Sequence, residues 1–110
     1  MNITFASRRL QRQMRSEREM AKAFGARAAI LKRRLALLMA VECLADVPSG
    51  PPERRHLLKG ARAGCFSVDL GRNWRLVFRP ANEPLPLLPD GGLNLEKVTA
   101  IEIVEVVDYH

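Results

Sequence analysis

The sequence predicts an α+β fold in which an N-terminal helical hairpin packs on one face of a small, mainly antiparallel sheet, a two-layer sandwich. Three observations predict it. Apolar residues recur at helical spacing in the first part of the chain and at a spacing of two from about residue 65 onward. Between the two regimes lies Pro48-Ser49-Gly50-Pro51-Pro52, a segment that cannot continue a helix. Beyond it, Gly71-Arg72-Asn73 separates two alternating runs as the loop of a β-hairpin does.

Taken in order, Ile3 and Phe5 alternate with Asn2 and Thr4 and predict a short first strand. Ser7 is placed to cap a helix in which Leu10, Met14, Ala21 and Phe24 mark one face, and Gly25 ends it as a left-handed C-cap. A second helix begins at Ala26, with Leu31, Leu35 and Leu38 as its core stripe and Ile30, Leu37, Val41 and Leu44 widening it. So short a connection predicts an antiparallel pair. After the proline break, Phe66, Val68 and Leu70 alternate toward the core, as do Trp74, Leu76 and Phe78 on the return strand. A three-residue loop then sets Leu70 opposite Trp74 and Asp69 near Arg75, on a polar face left open for a partner. Pro80 to Gly92, with four prolines and two glycines, predicts a long loop. The last strand, from about Val98 to Val107, is apolar on both faces except at Glu102 and Glu105, as suits an interior strand.

At 110 residues and 47% apolar content, residues 1–110 are expected to form one domain with its own core. No run is long enough to span a membrane, and Met1-Asn2-Ile3-Thr4-Phe5 is too short and polar for the apolar region of a secretory signal, so a cytoplasmic protein is expected. Cys43 and Cys65 have no metal or redox spacing and read as small hydrophobes. No metal site or cofactor is expected, because phosphate loops, dinucleotide fingerprints and ligand clusters are absent from the sequence.

Charge is more informative than composition. Residues 1–75 carry 16 Lys and Arg against 6 Asp and Glu, net +10, whereas residues 76–110 carry 2 against 6, net −4. Arg8-Arg9, Lys32-Arg33-Arg34 and Arg54-Arg55, together with Arg62 and Arg79, are the side chains a polyanion would need, since each neutralised phosphate releases counterions. A solvated helical face would carry the same residues.

Chemistry has two candidate centres. In Arg54-Arg55-His56-Leu57-Leu58-Lys59-Gly60-Ala61-Arg62 a single His lies among cations. Imidazole is the side chain whose ordinary pKa lies nearest neutral pH, so His56 is either a proton carrier at a phosphodiester or a plain strand-surface residue. Arg75 offers a planar fork for two phosphoryl oxygens, or else a partner for Asp69. The chain then closes on Asp108-Tyr109-His110, which supplies a ring for stacking, a phenol and a second imidazole. Strict alternation would put Tyr109 and His110 on opposite faces, so both serve one site only if the strand breaks its alternation at Asp108. Trp74, on the opposite face from Arg75, reads as core.

The run His56-Leu57-Leu58-Lys59-Gly60, then Gly64, Phe66-Ser67-Val68, Asn73-Trp74-Arg75-Leu76-Val77-Phe78 and the closing Asp108-Tyr109-His110 resembles the HigB-like toxins, plasmid-maintenance killer proteins of the RelE/ParE superfamily. The match spans about residues 54 to 80 and 100 to 110. The resemblance implies a RelE-like sandwich and a type II toxin that occupies the ribosomal A site and cuts messenger RNA without a metal. It assigns the catalytic groups to His56, Lys59, Arg75, Tyr109 and His110, and gives as partners the ribosome, its mRNA and a HigA-like helix-turn-helix antitoxin. Two departures stand out: Cys65-Phe66 where relatives carry two aromatics, and the long Pro80 to Gly92 segment. Two other functions fit the charge pattern. A ParE-like gyrase poison would share the fold, and a non-catalytic basic module would grip nucleic acid through Arg8, Arg9, Lys32, Arg33 and Arg34.

Overall fold

The computed structural model describes residues 1–108; Tyr109 and His110 lie outside the described residues. Five strands form one sheet: β1 (Asn2–Phe5), β2 (His56–Leu57), β3 (Phe66–Asp69), β4 (Trp74–Pro80) and β5 (Ala100–Asp108), in the order β1-β5-β4-β3-β2. β1 runs parallel to β5, with Ile3 opposite Ile101, and the other three pairings are antiparallel. The expected hairpin register holds: Asp69 pairs with Arg75, and the Leu70 amide donates to the Trp74 carbonyl at 2.9 Å.

The helical layer differs from expectation in one respect. The first helix is two: α1 (Arg8–Met14) and α2 (Glu17–Phe24). Each begins at a serine, Ser7 accepting from the Leu10 amide and Ser16 from the Glu19 amide, both at 3.1 Å. Ser16 is an N-cap with Glu17 and Glu19 in the following turn, where carboxylates favour the positive end of the helix. A second strong cap nine residues after the first restarts the chain in a new direction, which a single periodic stripe does not reveal. Gly25 ends α2 at φ 57°, but its ψ of −125° lies outside the left-handed helical region expected there. A 3-10 turn, Gly25–Arg27, leads into α3 (Ala28–Ala40).

Leu31, Leu35 and Leu38 of α3 form the predicted stripe and pack with Met14, Met20, Phe66, Val68, Leu70, Leu76, Phe78, Ile101 and Ile103 in the core. Leu44 also reaches it, from a 3-10 turn (Leu44–Asp46) beyond the end of α3. Burying each such side chain stabilises the fold by about 1.5–3 kcal/mol. Trp74 packs at the core margin as expected, with the Arg27 guanidinium over its ring, 4.6 Å from the centroid. Cys43 and Cys65 are free and half-buried.

Alternation in β5 breaks once among the described residues, at Val104. Phe78 pairs with Ile103 and Val77 with Glu105, leaving Val104 as an extra residue in a bulge. Ile101 and Ile103 face the core before it and Val106 after it, so Glu102 and Glu105 fall on the second face although they are three residues apart. From Glu105 to Asp108 the pairing is regular, and the break expected at Asp108, which concerns Tyr109 and His110, lies outside the described residues.

The second face is not wholly open. Cross-strand pairing aligns His56, Ser67, Val77 and Glu105 in one row on it. Ser67 is buried, and so are Val77 and Leu58, which lie outside the main core. Arg62, in the 3-10 turn Gly60–Arg62 after β2, reaches Glu105 on β5 at 3.1 Å. The segment from Leu58 to Arg62 therefore crosses the face above Ser67 and Val77. What stays open is the end bearing Asp69 and Arg75. The Pro80 to Gly92 loop is ordered: Leu87 bridges Leu93, the Asn94 amide donates to the Pro86 carbonyl at 2.8 Å, and Asn82 holds the start of β5 through the Thr99 and Ala100 amides. Among the described residues no helix is long and apolar enough to cross a membrane.

Candidate active site

On the open end of the second face, Ser49, Arg54, Arg55, His56, Leu58, Ser67, Asp69 and Arg75 line a shallow pocket of about 390 Å³. Its rim comes from the proline-rich break, which folds back on itself. The Arg54 amide donates to the Gly50 carbonyl and the Arg55 amide to the Pro48 carbonyl, each at 2.9 Å. Arg54 takes a left-handed φ of 49° in this turn. The Asp69 amide then donates to the Glu53 carbonyl at 2.8 Å, seating the turn against β3. His56 follows at once in β2, opposite Ser67, and so shares a face with Arg75.

Asp69 organises the cations. Its carboxylate lies 3.2 Å from the Arg75 Nε and 3.5 Å from the Arg54 Nε. Arg75 also donates through Nη1 to the carbonyls of Arg72 and Trp74 at 3.1 Å, so three contacts fix its fork beside the pocket. With its side chain only 25% exposed, Arg75 is held by a partly shielded ion pair. The Arg54 pair is open to water and adds little stability, about 0–1 kcal/mol. Three arginines and an imidazole around a single carboxylate make the pocket cationic, a setting for a phosphodiester. Both alternatives for Arg75 thus coexist: it pairs with Asp69 and it faces the pocket.

The remaining expected residues separate. Lys59 is exposed just outside the pocket lining, immediately before the Gly60–Arg62 turn. Arg62 is engaged with Glu105, and the Arg79 Nε donates to Glu102 at 2.6 Å. Arg55 touches the pocket, but its Nη1 donates to the carbonyls of Leu44 and Val47, both at 2.9 Å, and so ties the loop after α3 in place. Arg34 departs furthest from the expectation of a nucleic-acid contact. It is buried, with Nε donating to the Asp69 carbonyl at 2.7 Å and Nη2 to the Pro52 carbonyl at 3.3 Å. Standing at i+3 from Leu31 puts it on the core stripe, where a guanidinium must be spent on internal acceptors. Arg8, Arg9, Lys32 and Arg33 are exposed on the helical layer, across the sheet from His56, and Lys32 pairs with Glu17. Tyr109 and His110 lie outside the described residues. The last described pairings of β5 set Val107 opposite Arg75 and Asp108 opposite Trp74, so the strand runs to the margin of the pocket.

Ser49 and the positioning role of Asp69 were not foreseen as parts of a site. Ser49 carries no signal, since a serine between prolines reads only as loop. Asp69 was legible as a pairing partner, and its second arginine became visible only when the proline-rich turn closed over β3. Among the described residues no three His, Cys, Asp or Glu side chains are grouped to hold a metal ion.

No family model matches this sequence, and comparison with curated proteins also finds no match. Among solved structures, the fold is similar to a chain of the YoeB-YefM complex from Staphylococcus aureus, with a TM-score of 0.56 over 100% of this chain and 97% of that one, at 14% sequence identity.

Proposed function

We propose that this chain is the toxin of a type II toxin-antitoxin pair and cleaves messenger RNA on the ribosome. The observation that carries the reading is the pocket that gathers His56, Arg54 and Arg75 on one open face, in a chain whose motifs resemble the HigB-like proteins. The likeness of fold to a chain from the YoeB-YefM complex, an assembly of two proteins, supports placement in the RelE/ParE superfamily and a protein partner. The finer HigB assignment, a HigA-like antitoxin and a role in plasmid maintenance rest on the motifs alone.

The chemistry we infer is transesterification by the RNA itself. An imidazole of His56 or His110 takes the proton of the 2′-hydroxyl, O2′ bonds to the neighbouring phosphorus, and the bond from phosphorus to O5′ breaks. The other imidazole protonates the departing O5′, so the products are a 2′,3′-cyclic phosphate and a 5′-hydroxyl end. Arg75, oriented by Asp69, and Lys59 neutralise the added charge on the phosphorane, and Tyr109 stacks on or orients a base. Arg54 holds the incoming backbone. No step requires a bound cofactor. General acid-base help of this kind contributes about 10²–10⁴ in rate, so His56→Ala and His110→Ala should each cripple cleavage. Mapping RNA 5′ ends after induction, with and without ribosomes, tests the reading. Wild-type cutting by both variants would overturn it, and double-strand DNA breaks with intact message would favour a gyrase poison.

A further inference from the structure

Two polar side chains, Arg34 and Ser67, are buried among the described residues, and they differ in how they are satisfied. The Arg34 guanidinium donates to two carbonyls. Ser67, on β3 and only 1% exposed, carries a hydroxyl that no hydrogen bond joins to another described residue, yet it lines the candidate pocket. Its neighbours on the covered part of the face, Leu58 and Val77, are apolar. Packing alone therefore does not account for a hydroxyl at this position, and a buried polar group without a partner calls for one.

Strand pairing supplies the neighbour. His56 stands directly opposite Ser67, and the Leu58 amide, which donates to the Cys65 carbonyl at 2.9 Å, sets the two in a hydrogen-bonded pair of the β2–β3 ladder. Side chains so paired share a face with Cβ atoms about 5 Å apart, which puts a hydroxyl within reach of the nearer ring nitrogen, Nδ1. His56 is exposed and no hydrogen bond joins its imidazole to a described residue, so side-chain rotation alone brings the ring to Ser67. Other acceptors on this face are engaged: Asp69 by Arg54 and Arg75, Glu102 by Arg79 and Glu105 by Arg62. Arg54, Arg55, Lys59 and Arg75 around the imidazole are donors only, and the second hydroxyl of the pocket, that of Ser49, lies on its exposed rim.

We propose that Ser67 is a positioning residue for His56: its Oγ accepts a hydrogen bond from Nδ1–H and so leaves Nε2 facing the RNA. In the neutral ring Nε2 is then bare and takes the proton of the 2′-hydroxyl; in the charged ring it returns a proton to the leaving O5′. One contact serves both states, because Nδ1 keeps its hydrogen throughout. Ser67 acts through the imidazole and not on the phosphate. The catalytic consequence rests on the function proposed above, whereas the pairing of Ser67 with His56 does not.

The test uses the full chain with isotopically labelled histidine, and reads the ring-nitrogen chemical shifts at a pH where imidazole is neutral. The His56 signals are those lost in His56→Ala. In the wild type the ring should be mainly the Nδ1–H form, and Ser67→Ala should return it to the Nε2–H form that free histidine favours in water. Ser67→Ala should also lower kcat for RNA cleavage about tenfold with KM unchanged, and should lower the residual cleavage of His56→Ala no further. Alanine is smaller than serine and fits the buried site, and retained circular dichroism confirms that the variant folds. The proposal is overturned by the same tautomer in the wild type and Ser67→Ala, or by a rise in KM alone. An equal loss of rate with and without His56 also overturns it, since the hydroxyl would then act on the phosphate itself. A wild type that holds the Nδ1–H form, loses it in Ser67→Ala and yet cuts no RNA would refute the proposed reaction and leave the pairing established.

Discussion

Arg34 and Arg75 show how two arginines of similar sequence appearance take opposite roles. Both sit in basic, apolar-flanked stretches, yet Arg34 is buried beneath Asp69 while Arg75 stands beside it on the face. Removing Arg34 would leave the Asp69 and Pro52 carbonyls without their donor. Arg34→Ala is therefore expected to cost about 1–3 kcal/mol in urea unfolding, and a change within about 0.5 kcal/mol would mean that its bonds carry no weight. Asp69 acts through Arg75, so it is a positioning residue. Asp69→Asn should lower kcat for RNA cleavage by up to about 10²-fold with little change in KM, because the guanidinium is still present but no longer held. An equal rise in KM alone would assign Asp69 to substrate binding. His56 was legible by its neighbours; that it shares a face with Arg75 follows from its pairing with Ser67, which no local pattern records.

At the scale of elements, caps and bulges decided what periodicity missed. Ser16-Glu17-Arg18-Glu19 carries the residue types of a capping box, so the division into α1 and α2 was present in the sequence and was masked by a stripe that continues through it. Ser16→Ala should cost about 1 kcal/mol of stability, measurable by thermal or chemical unfolding; no loss would show that packing alone sets the start of α2. The bulge at Val104 was less accessible, because Ile101-Glu102-Ile103-Val104-Glu105-Val106-Val107 is compatible with either phase of alternation. Deleting Val104 would remove the extra residue and leave Ile103 opposite Phe78 and Glu105 opposite Val77 in regular alternation, each on its present face, so the deletion variant is expected to fold, as is Val104→Ala. Circular dichroism and urea titration of both variants check this, and an unfolded deletion variant would show that the bulge itself is needed to shape β5.

Across the whole molecule, the basic residues divide into two populations separated by the sheet. Arg54 and Arg75 belong to the pocket, whereas Arg8, Arg9 and Arg33 cover the helical layer. If the helical layer meets ribosomal RNA, replacing these three by alanine should flatten the dependence of log affinity on log salt by about 0.7–0.9 for each phosphate that is no longer neutralised. Cleavage of a small RNA substrate should stay unchanged. An unaltered slope would assign them to solvation alone.

The sequence by itself determined the α+β class, the hairpin register at Asp69 and Arg75, the core stripe of α3 and the long proline-rich loop, because these depend on side-chain period and turn chemistry within a few residues. Only the tertiary structure decided which arginines are spent internally, where β5 breaks its alternation, and that the proline-rich turn folds over β3 to bring Arg54 and His56 to Arg75. Those outcomes depend on which polar groups lose water when distant segments meet. A buried guanidinium must then satisfy carbonyls that no neighbouring residue in the sequence announces.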